Sequence, residues 1–192
     1  SPAGVPTSAS EDAGALSLQE IYRRCIGSVV SIVTVTPSGK ASGTGIIMSE
    51  DGYVITNHHV IESAQAVSVL TADSQEYTAS VVGSDETSDL AVLKIEAEGL
   101  QAAEFGDSSV LQVGDSVAAI GVVMATAVGA DTTGLEIVQM MPSSSPVKGT
   151  MTDGIVSAIN RDLTVNDRTM SLIQTNAALN NGNSGGPLIN CY

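Results

Sequence analysis

The chain has 192 residues, with 7 basic against 21 acidic side chains and a net charge of −14. That length holds one domain, or two closely packed halves, around a buried core, and so negative a balance argues against nucleic acid or an anionic membrane as partner because like charges repel. Apolar residues make up 43%, there is no Trp, and Val, Ile, Ala, Gly, Ser and Thr abound, a mixture suited to β-structure with many turns rather than to a helical bundle.

Residues 1–16, "SPAGVPTSASEDAGAL", are small, polar and proline-bearing and read as a flexible leader. They carry no basic-then-apolar export signal, and no apolar run in the chain approaches the roughly 20 residues of a membrane span. Ser17 and Glu20 in "SLQE" form a capping-box pattern that predicts a short helix from Leu18 to about Cys25. Strands follow at 28–36 and 41–49 around the turn "PSGK", and at 53–56 after the turn "EDG". Further strands are predicted at 66–70, 76–83, 90–95, 116–121, 154–160 and 170–175, a spacing that fits a sandwich or barrel and not alternating βαβ units. The charged segment 94–109 reads as the connection between two halves, and the long segment 122–148 as a surface excursion without structure of its own. Cys25 and Cys191 make neither a disulfide framework nor a metal-ligand spacing; one bridge and two buried thiols are both open.

The stretch "NNGNSGGPL", Asn180 to Leu188, sets three glycines and a proline around Ser184. Glycine loses more conformational freedom on folding than any other residue, so their presence needs a reason. A glycine-rich turn between strands is one; a strained loop that presents a nucleophile and aims amide N–H groups at an oxyanion is the other. The only two histidines are adjacent, His58 and His59 in "TNHHVI", and a histidine at a strand end reads equally well as a surface residue. Asp89 opens "DLAVLKI"; an aspartate there ordinarily bonds nearby amides at a strand start, or else it orients a histidine by accepting its Nδ1–H. Each signal is modest alone. Together they run in the order His, Asp, Ser, at intervals of 30 and 95 residues.

The segments "GTGIIMSEDGYVITNHHV", "SDLAVLKI", "FGDSSVLQVGDSVAAIG", "TDGIVSAINRD" and "IQTNAALNNGNSGGPLIN" carry a resemblance that covers the chain from about Glu20 to Tyr192. It resembles a trypsin-fold serine protease, specifically a bacterial high-temperature-requirement (HtrA) protease. The resemblance implies an all-β fold of two six-stranded antiparallel barrels with the active site in the cleft between them. The chain then divides into a leader at 1–16, the helix and first barrel at 17–100, and the second barrel at 101–192. His59, which directly precedes the valine of "HV", is implied as general base, with His58 a solvent-facing neighbour; Asp89 is the orienting acid and Ser184 the nucleophile. The turn Gly182–Asn183–Ser184 is implied as the oxyanion hole, through the amides of Gly182 and Ser184. Ala178 and Leu179 fall at the base of the specificity pocket, which favours small or medium aliphatic residues at the cleavage point. Asn183 stands where digestive relatives carry an aspartate that pairs with a newly cut N-terminus, which argues against activation by cleavage and for loop ordering by substrate or partner.

No metal or organic cofactor is implied. The implied substrates are unfolded or damaged proteins, cleaved through an acyl-enzyme in the bacterial cell envelope by a periplasmic or membrane-anchored protein. A homo-oligomer, a trimer by analogy, is implied, with a PDZ domain belonging to the parent protein; the loop at "TPSGK" is too short for the long inter-subunit loop of some members. Two departures stand out. The family's short turn after "AIG" is replaced by 122–148, and Tyr192 comes eight residues after Ser184, before the strands that close the second barrel. An incomplete second barrel with an exposed sheet edge is therefore expected. The rival readings are a non-catalytic binding or regulatory module on the same fold, an inactive protease fragment, and a plain structural β-domain.

Overall fold

Seven of the eight residues in Val29–Thr36 are β-branched, side chains that pack well on a pleated surface, and they form β1. The two-residue turn Pro37–Ser38 returns the chain as β2 (Gly39–Ile47), paired antiparallel from Thr36↔Gly39 to Val29↔Ile46. β3 (Tyr53–Thr56), β4 (Ala66–Leu70), β5 (Glu76–Asp85) and β6 (Leu90–Ile95) complete a closed barrel in the order β1-β2-β3-β6-β5-β4. Closure leaves no unpaired edge, and alternate residues point inward: Ile32, Ile47, Val54, Val69, Leu93 and Ile95 fill the interior. The computed structural model describes residues 16–122, 149–165, 168–179 and 183–191, with backbone alone over 160–171.

The second half is an open antiparallel sheet. β7 (Ser116–Val122), β8 (Gly149–Val165), β9 (Arg168–Thr175) and β10 (Leu188–Asn190) lie in the order β10-β7-β8-β9. β7 is buried from Val117 to Val122. Helix α1 (Leu18–Cys25) is capped by Ser17, whose Oγ accepts the Glu20 N–H at 3.2 Å, and Glu20 pairs with Arg23 and Arg24 one turn on. Those guanidiniums, Arg24 foremost, hold the Glu20 carboxyl below its ordinary range. Although α1 precedes the barrel in sequence, it packs on the sheet: Ile21 is buried with Ala118 and Cys191, and the Tyr22 hydroxyl donates to the Gly149 carbonyl at 3.1 Å. A closed barrel keeps its apolar residues inside, whereas an open sheet needs a cover, and the single apolar stripe of α1 supplies one. Just ahead of the helix, the Leu16 N–H donates to the Cys191 carbonyl at 2.9 Å. Among the described residues no helix is long and apolar enough to cross a membrane.

Several elements differ from the sequence reading. The strand predicted at 154–160 runs from Gly149 to Val165. Gly154 reads as a break but is a place of close approach, where a Cβ would strike the Ala177 backbone and the Asn176 side chain. Register shifts between Val156 and Arg161 let so long a strand bend. β5 is longer than 76–83, with an irregularity between Val81 and Gly83, and neither β10 nor a short helix at His58–Ile61 is predicted. Residues 1–15 of the predicted leader and 123–148 of the predicted excursion lie outside the described residues.

Candidate active site

β3 and β6 are antiparallel neighbours, and their register sets Thr56 opposite Ala91. The residues just after β3 therefore meet those just before β6, which is how His59 and Asp89 come together across 30 positions. Asn57 leads into the single-turn helix α2 (His58–Ile61). The Asp89 carbonyl accepts the His58 N–H at 3.1 Å and the Asn57 side-chain amide at 2.8 Å. Its Oδ1 accepts the His59 N–H at 2.9 Å, and its Oδ2 lies 2.7 Å from His59 Nδ1. Asp89 takes a φ of +53°, a left-handed conformation that costs an ordinary residue energy but that aspartate tolerates, and four hydrogen bonds hold it there. An ionised carboxylate can only accept, so Nδ1 carries the proton and Nε2 is left as the accepting atom. The His59 side chain is 51% exposed and that of Asp89 35%. Water screens such a pair, so its contribution is orientation rather than stability.

His58 departs from the expectation. The residue is half-buried, and its Nδ1 is covered, with no hydrogen-bond partner among the described residues. Successive helical residues point about 100° apart, so the turn of α2 leaves His59 exposed and His58 half-buried.

Ser184 sits in a tight turn closed by the Gly186 N–H on the Asn183 carbonyl at 2.9 Å. Gly185 takes a φ of +86°, and a Cβ there would collide with the Thr44 carbonyl and the Thr56 hydroxyl. Both the backbone conformation and the missing side chain are thus required, because the turn lies flush on the barrel rim. The Ser184 carbonyl accepts the Thr44 N–H at 2.8 Å, and it shares the space beside Gly43 with the side chain of Val60, the residue after His59. Among the described residues no hydrogen bond joins the Ser184 hydroxyl to the His59 ring, a contact that commonly tightens only when substrate is bound.

The other predicted residues are placed as follows. Gly182 lies outside the described residues. Asn183 is half-buried, and its side-chain amide donates to the Ala178 carbonyl at 3.2 Å, which also accepts the Thr152 hydroxyl at 2.8 Å. Leu179 is 65% exposed. Cys25 and Cys191 are free thiols in the helix–sheet core, and burial pushes both up, helped at Cys191 by the Asp153 charge. Sequence reasoning missed Asn57 and Thr44. The only trace of Asn57 is its place in "TNHHV", and Thr44 looks like any β-former between two glycines.

Residues 43–192 match the model of the trypsin-like peptidase domain. A probable periplasmic serine endoprotease DegP-like of Chlamydia trachomatis is 45% identical over 148 residues, covering 77% of this chain but 26% of the relative. One of Halomonas elongata is 38% identical over 185 residues, 92% of this chain and 34% of the relative. The putative serine protease HhoB of Synechocystis is 37% identical over 180 residues, 92% and 38%. Among solved structures, the HtrA-type protease AlgW with a tripeptide superposes with a TM-score of 0.76 at 34% identity, covering 91% of this chain and 51% of that one. The chain thus spans well under two thirds of the length of each.

Proposed function

Because the chain belongs to the trypsin-like peptidase domain family, we propose that it supplies the catalytic residues of an HtrA-like serine endopeptidase that cleaves unfolded or damaged proteins. The observation that carries this reading is the 2.7 Å contact of His59 Nδ1 with Asp89, on the rim where the Ser184 turn docks. Ser184 Oγ attacks the scissile carbonyl while His59 Nε2 takes its proton and later passes it to the leaving amine. Asp89 holds the ring in the required tautomer and stabilises the imidazolium. The N–H groups of Gly182 and Ser184, in the turn that includes Asn183, receive the oxyanion; one such donor is worth about 3–4 kcal/mol in the transition state. Ala178 and Leu179 favour an aliphatic residue at the cleavage point.

The DegP-like relatives named periplasmic support an extracytoplasmic location. A membrane anchor, a homotrimer and a PDZ domain in the parent protein extend the same reading by analogy.

Labelling with a fluorophosphonate, read by intact mass and by peptide mapping to Ser184, tests it. The expected result is one adduct on the full-length protein and none on Ser184→Ala. A full-length protein that stays unlabelled while a control protease reacts would instead establish a non-catalytic module on the protease fold.

A further inference from the structure

We propose that Thr44 is a positioning residue: it rivets the Ser184 turn and the end of β7 to the barrel that carries His59, and so sets the alignment of nucleophile and base. This rests on the reading of Ser184 as the nucleophile. Thr44 lies on β2 at 0% exposure. Its N–H donates to the Ser184 carbonyl at 2.8 Å, and its carbonyl accepts the Thr56 hydroxyl at 2.7 Å. Its Oγ1 accepts the Val122 N–H at 2.9 Å and reaches the Val122 carbonyl at 3.5 Å.

Each contact joins parts of the molecule that are distant in sequence. Val122 is 78 residues away, at the end of β7 in the open sheet. The Ile120 N–H still finds a strand-like partner in the Pro187 carbonyl at 3.3 Å. Beyond Pro187 the chain leaves β7 to make the Ser184 turn, so the same side of Val122 faces β2, where the Thr44 hydroxyl serves both polar groups of its backbone. Thr56, on the other side, comes three residues before His59. A continuous path therefore runs from the nucleophile's own carbonyl through Thr44 and Thr56 to the segment bearing the base.

Valine fills nearly the same volume as threonine and is commoner in buried strands, while a buried hydroxyl is costly unless bonded. The hydroxyl is therefore explained by its bonds to Val122 and not by packing. Cutting them lets β7 and the Ser184 turn shift against the barrel, and displacements near 1 Å at a reacting centre cost about 100-fold in rate.

The test compares Thr44→Val, Thr44→Ser and wild type in the full-length protein. The readouts are the rate of fluorophosphonate labelling at Ser184, kcat and KM on unfolded casein, and the folded fraction by circular dichroism. Thr44→Val is expected to lower kcat and the labelling rate by about 10- to 100-fold with KM within about twofold of wild type, and Thr44→Ser to restore both to within about threefold. Wild-type labelling by Thr44→Val, an equal loss in Thr44→Ser, or a loss that only follows the unfolded fraction overturns the proposal. Should Thr44→Val fail to fold, Thr56→Val cuts the next link and leaves the Val122 bonds intact; a folded Thr56→Val that labels at the wild-type rate overturns it equally. A wild-type protein that does not label sinks the protease reading itself, an outcome distinct from all of these.

Discussion

The two halves of the molecule solve opposite problems. Residues 29–95 close into a barrel in which every strand has two neighbours, while among the described residues the four strands of 116–190 end in two edges, β9 and β10. The proposed acid and base, Asp89 and His59, both come from the closed half, where the β3–β6 register brings them together. The proposed nucleophile, Ser184, comes from the open half, on a turn bonded to the barrel through Thr44 and packed against it beside Gly43 and Gly185. Half of the site is thus assembled within a closed unit, and the other half depends on the seam between the two.

Four substitutions would break or sharpen this contrast. The largest effect is expected for Ser184→Ala, which should lower kcat by about 10⁶-fold while the barrel melts as before; activity within tenfold of wild type would remove the open half from the chemistry. Next, Leu93→Ala should leave a cavity in the fully buried barrel interior and cost about 2–5 kcal/mol in urea unfolding, whereas Leu172→Ala, on β9 and 37% exposed, should cost about 0.5 kcal/mol. Equal losses would show the two halves to be packed alike. Ser17→Ala, which removes the cap of α1, should cost about 1 kcal/mol, well below the loss at Leu93. Amide hydrogen exchange should then quicken in β7 and β10, which the helix covers, and stay unchanged in β3 and β6. Faster exchange throughout would mean that the helix supports both halves.

The same contrast separates what could be read in the sequence from what could not. The capping box placed α1 at Leu18–Cys25, and strands 53–56, 66–70 and 90–95 ended where turn residues said they should. These are local signals. β8 was misjudged because Gly149 and Gly154 punctuate a sequence even when they only make room for a neighbour. β10, three residues long, is defined by its pairing with β7 and not by its own composition. At the candidate site, the meeting of His59 and Asp89 was legible because motif and chain order both marked them. Asn57 and Thr44 were not, since each acts through a contact, 32 and 78 residues away, that no local pattern announces. The covered Nδ1 of the half-buried His58 was not legible for a related reason: the exposure of two adjacent rings depends on a helical turn only four residues long.

The hydrogen bond from Leu16 to Cys191 has a mechanical consequence. It ties the entrance of the fold to the strand that follows the Ser184 turn, so tension on the chain ahead of Leu16 is felt by β10 before it reaches the barrel. A pull ahead of Leu16 therefore arrives a few residues from Ser184, by a route far shorter than the distance along the chain.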